Sequence, residues 1–309
     1  MKRHKSDRGI LSALPFLAPS LTGLILFSII PIVASLAISM TGWAGMSRVS
    51  LFKGFFTFVR DNFTGLRNYL TILKDSEIWT VLGHNVYFII LYLPLMLVLS
   101  LLVAEIIAYK SRAAGVYRIL YYIPVLTSWV AGALIWKWLL SPEYGPINNV
   151  IAFFGGTGPM WLQSEIWAMP SIVLASVWKD IGFYGMIFLG GLIGINPEYY
   201  EAAEIDGAGS WRKFVRITLP LLSPVLFYVV MLSLINAFQL FPQVMVMTKD
   251  GDAGPNGATM VMVERVYKYA FKYGKMGYAT AYSWILFIVI FSITAIQNFV
   301  QKRWVHYDS

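Results

Sequence analysis

The chain has 309 residues, 58% of them apolar and only 13% charged, with no cysteine and a formal net charge of +8. So much apolar side chain cannot be hidden in one core of this size, which excludes a soluble globular domain and a disordered chain alike. The missing cysteine removes disulfides, thiolate metal sites and cysteine nucleophiles together; in so apolar a chain the basic surplus reads as membrane-edge charge rather than as a nucleic-acid surface.

Six apolar stretches are long enough to cross a bilayer. They run Pro15 to Met40, Asn85 to Ala108, Ile119 to Leu140, Pro170 to Ile195, Leu221 to Phe241, and Tyr278 to Val300. The expected fold is all-α: a polytopic membrane protein of six transmembrane helices. Its parts are an N-terminal tail over 1–14, a membrane domain over 15–300 and a C-terminal tail over 301–309. The first stretch exceeds the apolar core of a signal peptide and is expected to be a retained anchor. Trp43, Trp136, Trp138, Trp167 and Trp304 mark stretch ends, as interfacial aromatics do. Prolines 19, 31, 94, 124, 170 and 224 interrupt all but the last stretch. Gly190 and Gly194 have the G-x-x-x-G spacing that lets helices pack closely.

Basic residues set the orientation. Twelve lysines and arginines lie in four short segments: the N-terminal tail (Lys2, Arg3, Lys5, Arg8), Lys110 to Arg118, Arg212 to Arg216, and the C-terminal tail (Lys302, Arg303). Ten on the other side are spread over much longer loops, so both termini are expected in the cytoplasm.

The cytoplasmic loop over 196–220 is the most informative. Asn196-Pro197-Glu198 is a helix start: a capping amide, a proline at the first position and an acid at the positive end of the dipole. The helix continues through Glu204. Gly207 and Gly209 then permit a reversal. Ser210 is expected to cap a second helix over Trp211 to Ile217, which Pro220 ends. Ala202 and Ala203 give the first helix a small-residue face. Glu198, Glu201, Glu204 and Asp206 argue against a helix lying on anionic lipid and for one that enters a protein groove.

Glu201-Ala202-Ala203, three residues, Gly207, nine residues, Ile217, one residue and Leu219-Pro220 match every fixed position of the EAA motif, so the chain resembles the permease subunits of binding-protein-dependent ABC importers. Phe63 to Tyr69, Tyr121 to Pro124, Ile135 to Leu139, Ala237 to Gln239 and Tyr267 to Phe271 are similar to the sugar-importing, maltose- and glycerol-phosphate-type branch. The large outer domain of the enteric maltose permease is missing, and Asp252-Ala253-Gly254-Pro255 stands where that branch has Gly-Gly-Pro. The resemblance implies a multi-pass protein of a prokaryotic plasma membrane. It implies a heterodimer with a second homologous permease, two ATP-binding subunits, an extracellular solute-binding protein and a sugar or oligosaccharide substrate. It implies that Glu201, Ala202, Ala203, Gly207, Ile217, Leu219 and Pro220 dock on the ATPase. ATP and magnesium are then expected on the partner ATPases. This chain is expected to be non-catalytic and to bind no cofactor or metal.

Charges inside the stretches are few. Lys179 and Asp180 sit near the middle of the fourth, where an unpaired charge costs about 2.5–3.5 kcal/mol. Either Trp178, Lys179 and Tyr184 border the translocation path, or the charges serve a partner subunit or a water-filled crevice. Asn236, Gln239 and Gln243 are spaced to share a helix face, near Phe238 and Phe241. Amides with aromatic rings suit sugar hydroxyls and sugar faces; interhelical hydrogen bonding is the alternative. A secondary transporter of a polar solute, without ATPase partners, is the rival reading, and it predicts coupling acids within the stretches.

Overall fold

The computed structural model describes residues 6–45, 54–108, 114–248 and 251–301. Lys2, Arg3, Lys5, Lys110, Arg112, Lys302, Arg303 and Trp304 lie outside them, as do most residues of the expected C-terminal tail. The described residues contain helices, turns and loops and no β-strand; a single antiparallel bridge pairs Thr41 with Phe63. The chain divides into two compact units, Met1–Lys74 with Val266–Ile285, and Asp75–Arg265 with Leu286–Ser309.

In the first unit, α1 (Pro15–Ser39) is apolar on every side and buries almost none of itself. Its length and composition suit a membrane span. Pro31 has no amide to offer the carbonyl one turn back, and the helix widens over Ile25–Ile29 to accommodate it. The carbonyls at the C-terminal end of α1 need donors. Asn68 supplies two, its amide reaching the carbonyls of Ser39 and Thr41, each at 2.8 Å. Tyr69 adds a hydroxyl contact to Ser39 at 2.6 Å. The Phe63–Tyr69 run is thus the closure of the first membrane helix. Gly65 turns it at φ +61°.

The second unit holds α2 (Ser76–Ala108), α3 (Gly115–Leu126), α4 (Trp129–Leu139), α5 (Glu165–Ile193), α6 (Glu198–Ile205), α7 (Ser210–Leu221), α8 (Ser223–Phe238) and α9 (Pro242–Met247). The final helix, α10 (Met276–Gln301), contributes to both units. Four helices, α1, α2, α5 and α10, are long and apolar enough to span a membrane alone. The third apolar stretch is not a straight helix, and the fifth, α8, is set at an angle to the loop helix that precedes it. α3 and α4 meet at 99°, α7 and α8 at 67°, so the count is four spans, or up to six if each bent pair is one.

α2 and α5 are the centre of this unit and pack along each other. Both begin earlier than the hydropathy implied, at Ser76 and Glu165. Where the extension of α2 meets the expected stretch, two polar residues are used inside the protein. Buried Asn85 accepts from the amide of Met262 at 3.0 Å, and His84 bonds the carbonyl of Met260 at 3.1 Å.

Close helix packing does not use Gly190 and Gly194. A Cβ on Gly190 would meet nothing within 4 Å, and one on Gly194 only the preceding turn of its own segment. The tight crossings fall at Gly182, where a Cβ would strike the carbonyl oxygen of Tyr121 on α3, and at Gly191, where it would lie 2.6 Å from Leu222. Motif spacing was a poorer guide than the actual approach of backbone to backbone. Gly182→Ala should therefore lower stability by about 1–3 kcal/mol through overpacking, while Gly190→Ala should be neutral or stabilising. Heat-induced loss of the monodisperse purified chain distinguishes them; equal melting of the two variants would contradict the packing.

Candidate functional site

The elbow between α3 and α4 leaves the carbonyls around it short of helical donors, although the Thr127 amide and hydroxyl already reach the Pro124 carbonyl at 3.2 and 2.7 Å. Lys179 of α5 supplies further donors. Its ammonium donates to the carbonyls of Pro124 at 3.0 Å, Val125 at 3.3 Å and Thr127 at 2.5 Å. An ammonium has three donors, and all three are engaged. A cation also complements the negative end of a helix. On the other side of the elbow the Ser128 hydroxyl accepts from the Ala131 amide at 3.2 Å, starting α4. The ring of Trp129, the first residue of α4, lies 5.4 Å from the ammonium.

Beside this elbow is a pocket of about 290 Å³. α2 contributes Phe88 and Tyr92, one turn apart and stacked with ring centroids 5.1 Å apart. α5 contributes Ser176 and Asp180, again one turn apart. Trp129, Asn236, Gln239 and Gln243 complete its polar and aromatic lining. Tyr92 donates to Asp180 at 2.7 Å. Ser176 is 1% exposed and Gln243 7%, yet the Ser176 hydroxyl and the Gln243 amide oxygen have no hydrogen-bond partner in the chain. Burying such atoms unpaired costs about 1–3 kcal/mol each. They are the signature of a site that a polar ligand completes. A larger cavity of about 710 Å³, lined by Lys137, Tyr144, Gln163 and Asp252 among others, has none of these unpartnered atoms in its lining.

The structure sorts the expected path residues. Asn236, Gln239 and Gln243 line the pocket together. They do not share one continuous helix face: α8 ends at Phe238, and the break before Pro242 brings Gln243 back alongside. Trp178, Lys179, Tyr184 and Phe241 are not in its lining. Trp178 packs edge-on against Trp136 with ring centroids 6.0 Å apart. Lys179 holds the elbow. Tyr184 is buried and accepts from the Asn236 amide at 3.1 Å, orienting a lining residue without itself reaching the pocket. Phe241 occupies the break that precedes α9. Sequence reasoning named Asp180 but left it out of the candidates, and missed Tyr92, Trp129 and Ser176. The spacing Ser176–Asp180 places a hydroxyl and a carboxylate on one face, and was a usable signal.

The loop over 196–220 forms a helix, a tight reversal and a second helix. Asn196 accepts from the Glu198 amide at 3.1 Å. α6 then ends in a Schellman closure, with the Gly207 amide on the Glu204 carbonyl at 3.0 Å and the Ala208 amide on the Ala203 carbonyl at 2.9 Å. Gly207 sits at φ +73°, a conformation residues with a Cβ resist. The Lys213–Glu204 ion pair at 2.6 Å and the Tyr200–Thr218 hydroxyl contact at 2.9 Å tie the two helices together. Three local expectations are corrected: Pro197 is the cap of α6 rather than its first residue, so Asn196 lies one position outside it. Gly209, not Ser210, precedes α7, and the Ser210 side chain makes no cap. Pro220 does not end the helix, which runs one residue further to Leu221 after a wide turn over Phe214–Thr218. Glu201, Ala202 and Gly207 are exposed. So are two large apolar residues, Ile205 at 89% and Trp211 at 76%. Ile217, Leu219 and Pro220 are half-buried at the root of the loop.

Comparison with known proteins follows the same outline. The sequence profile of the family described as "Binding-protein-dependent transport system inner membrane component" matches residues 73–306. A probable ABC transporter permease protein, YesP of Bacillus subtilis, is 31% identical over 100% of this chain and 96% of its own length. The trehalose/maltose transport system permease protein MalF of Thermococcus litoralis is 32% identical over 96% of this chain and 94% of its own. The lactose transport system permease protein LacF of Rhizobium radiobacter is 28% identical over 98% and 97%. A chain of a bacterial alginate ABC transporter, crystallised with its alginate pentasaccharide-bound periplasmic protein, shares the fold with a TM-score of 0.79 at 21% identity, each chain covered to 98%.

Replacing Lys179 by methionine keeps the bulk and removes the ammonium's three donors, leaving only the Thr127 amide and hydroxyl on the Pro124 carbonyl. It should destabilise the purified chain by about 1–3 kcal/mol. Lys137→Met, which frees only the single Val246 carbonyl at 3.2 Å on an exposed side chain, should cost less. Thermal unfolding in detergent reads the difference, and an equal effect would contradict the elbow assignment.

Proposed function

The chain belongs to the family of binding-protein-dependent transport system inner membrane components, and from that premise we propose that it is the permease subunit of an ATP-driven importer of a sugar or oligosaccharide. The polar pocket is its part of the translocation path, shared with a second, homologous permease. One observation carries this reading: two buried polar atoms, the Ser176 hydroxyl and the Gln243 amide oxygen, line a space walled by amides and aromatic rings and have no partner within the chain. Hydroxyl groups of a sugar satisfy such atoms, and sugar faces stack on rings such as Trp129. The named relatives that carry lactose, trehalose and maltose support the substrate class.

The reading extends to the remaining organisation. The α3–α4 pair is one broken span and α8 is a span by itself, with α7 left in the cytoplasmic loop, giving six spans, both termini in the cytoplasm of a prokaryote and the 15–300 membrane domain in its plasma membrane. Broken spans are tolerated in a bilayer where protein or a cavity satisfies the freed backbone groups, which is the service Lys179 performs. A binding protein delivers substrate from outside. ATP and magnesium bind two partner subunits, and this chain performs no catalysis.

The loop over 196–220 couples the two activities. Glu201, Ala202, Ala203 and Gly207 present the docking face, with Ile205 and Trp211 as apolar contacts; Ile217, Leu219 and Pro220 fix its root. The mechanical route is short. α5 carries Asp180 into the pocket and runs to Ile193, just before the loop. α8 carries Asn236 and begins just after it. Gly191 and Leu222 press these two ends together. Moving the loop therefore moves two walls of the pocket, without any wire through the protein interior.

Glu201→Lys and Gly207→Val should leave the chain inserted in the membrane. Both should abolish ATP-dependent uptake and release the ATPase that co-purifies with the wild-type chain. Gly207→Val acts through backbone strain of about 1 kcal/mol or more at positive φ, Glu201→Lys through a reversed charge. Wild-type uptake and co-purification in both variants would remove the loop from the coupling path.

A further inference from the structure

Resting on the pocket as the sugar path, we propose that Asp180 makes it selective for uncharged carbohydrate and excludes acidic sugars such as uronates. Asp180 is the one charged side chain lining the pocket among the described residues. Tyr92 donates to one of its carboxylate oxygens and leaves the rest of its accepting capacity toward the pocket. Asn236, Gln239 and Gln243 offer neutral amides, and Ser176 a neutral hydroxyl. A carboxylate on an incoming sugar therefore meets a fixed carboxylate within a space of about 290 Å³, where the low dielectric magnifies like-charge repulsion.

The adjacent ammonium keeps its charge and offsets part of this repulsion, but it offers an anionic sugar no direct pairing. Lys179 lies next in sequence to Asp180, but its three donors are committed to the carbonyls of Pro124, Val125 and Thr127, and none is left for an anionic ligand. The sequence places a cation beside the path; the fold spends it on the elbow. A neutral sugar faces no such penalty, since its hydroxyls can donate to Asp180 as well as to the Gln243 oxygen.

The test uses the permease purified with its co-purifying partner subunits. Equilibrium dialysis measures binding of maltose, lactose and trehalose against digalacturonate, in the absence of the extracellular binding protein. The expected result is that at least one neutral disaccharide binds, with digalacturonate about tenfold or more weaker. Asp180→Asn should erase most of that gap. Gln239→Lys, at an exposed pocket position that tolerates a long side chain, should raise digalacturonate binding about tenfold by a separate route. Equal or tighter binding of digalacturonate by the wild-type complex overturns the selectivity while leaving the pocket as the sugar path. So does a gap that survives Asp180→Asn, whatever Gln239→Lys does. If no sugar, neutral or acidic, binds the wild-type complex or either variant, the reading of the pocket itself fails.

Discussion

A backbone that breaks within a membrane domain must find donors for the carbonyls it releases, and the three hydrogen bonds from Lys179 to Pro124, Val125 and Thr127 meet that demand. The rest of the site follows from them. They hold a 99° elbow that a continuous apolar stretch would not make. The elbow turns Trp129 toward the same space as Tyr92 and Asp180. A second break, between Phe238 and Pro242, brings Gln243 alongside Asn236. The pocket is thus made by interruptions of helices, each stabilised locally, rather than by straight helices that happen to leave a gap.

Much of the architecture was legible in the sequence, because membrane burial writes itself in runs of apolar residues. Each of the six stretches falls largely on helix, the third on two helices joined by an elbow and the fifth on α8. The loop over 196–220 was legible down to its turn, since Asn196, Gly207 and their neighbours act on the chain within a few residues of themselves. Its family resemblance was legible for the same reason: the motif is contiguous. The elbow at Thr127 was not visible, although Pro124 marked it. A proline in a membrane stretch fits a mild kink as well as a right-angle turn, and what decides is a lysine 55 residues further on.

The polar residues show where local reasoning stops. Lys179 was a path candidate, with a partner subunit or a water-filled crevice as the alternative, because an intramembrane charge needs a partner, and backbone carbonyls are a partner that composition does not display. Gly190 and Gly194 had the right spacing and the wrong surroundings; Gly182 and Gly191 have no motif and make the close approaches. Asn236, Gln239 and Gln243 were grouped correctly on a helical-face argument, yet they converge because the helix ends between them. Of the pocket members from other helices, Ser176 left a trace in its one-turn spacing from Asp180, while Tyr92 and Trp129 are defined only by tertiary contact.

The account's central claim is that this pocket lies on the translocation path. The chain has no cysteine, so a lone Gln239→Cys substitution gives a clean probe. In the purified, reconstituted complex, modification of that thiol by a membrane-impermeant reagent should depend on nucleotide state, reached from one side of the membrane without ATP and from the other when the ATPases are held closed. Saturating sugar should protect it in both. A thiol that reacts at the same rate from the same side in every state, unprotected by substrate, would place the pocket off the path and contradict the account.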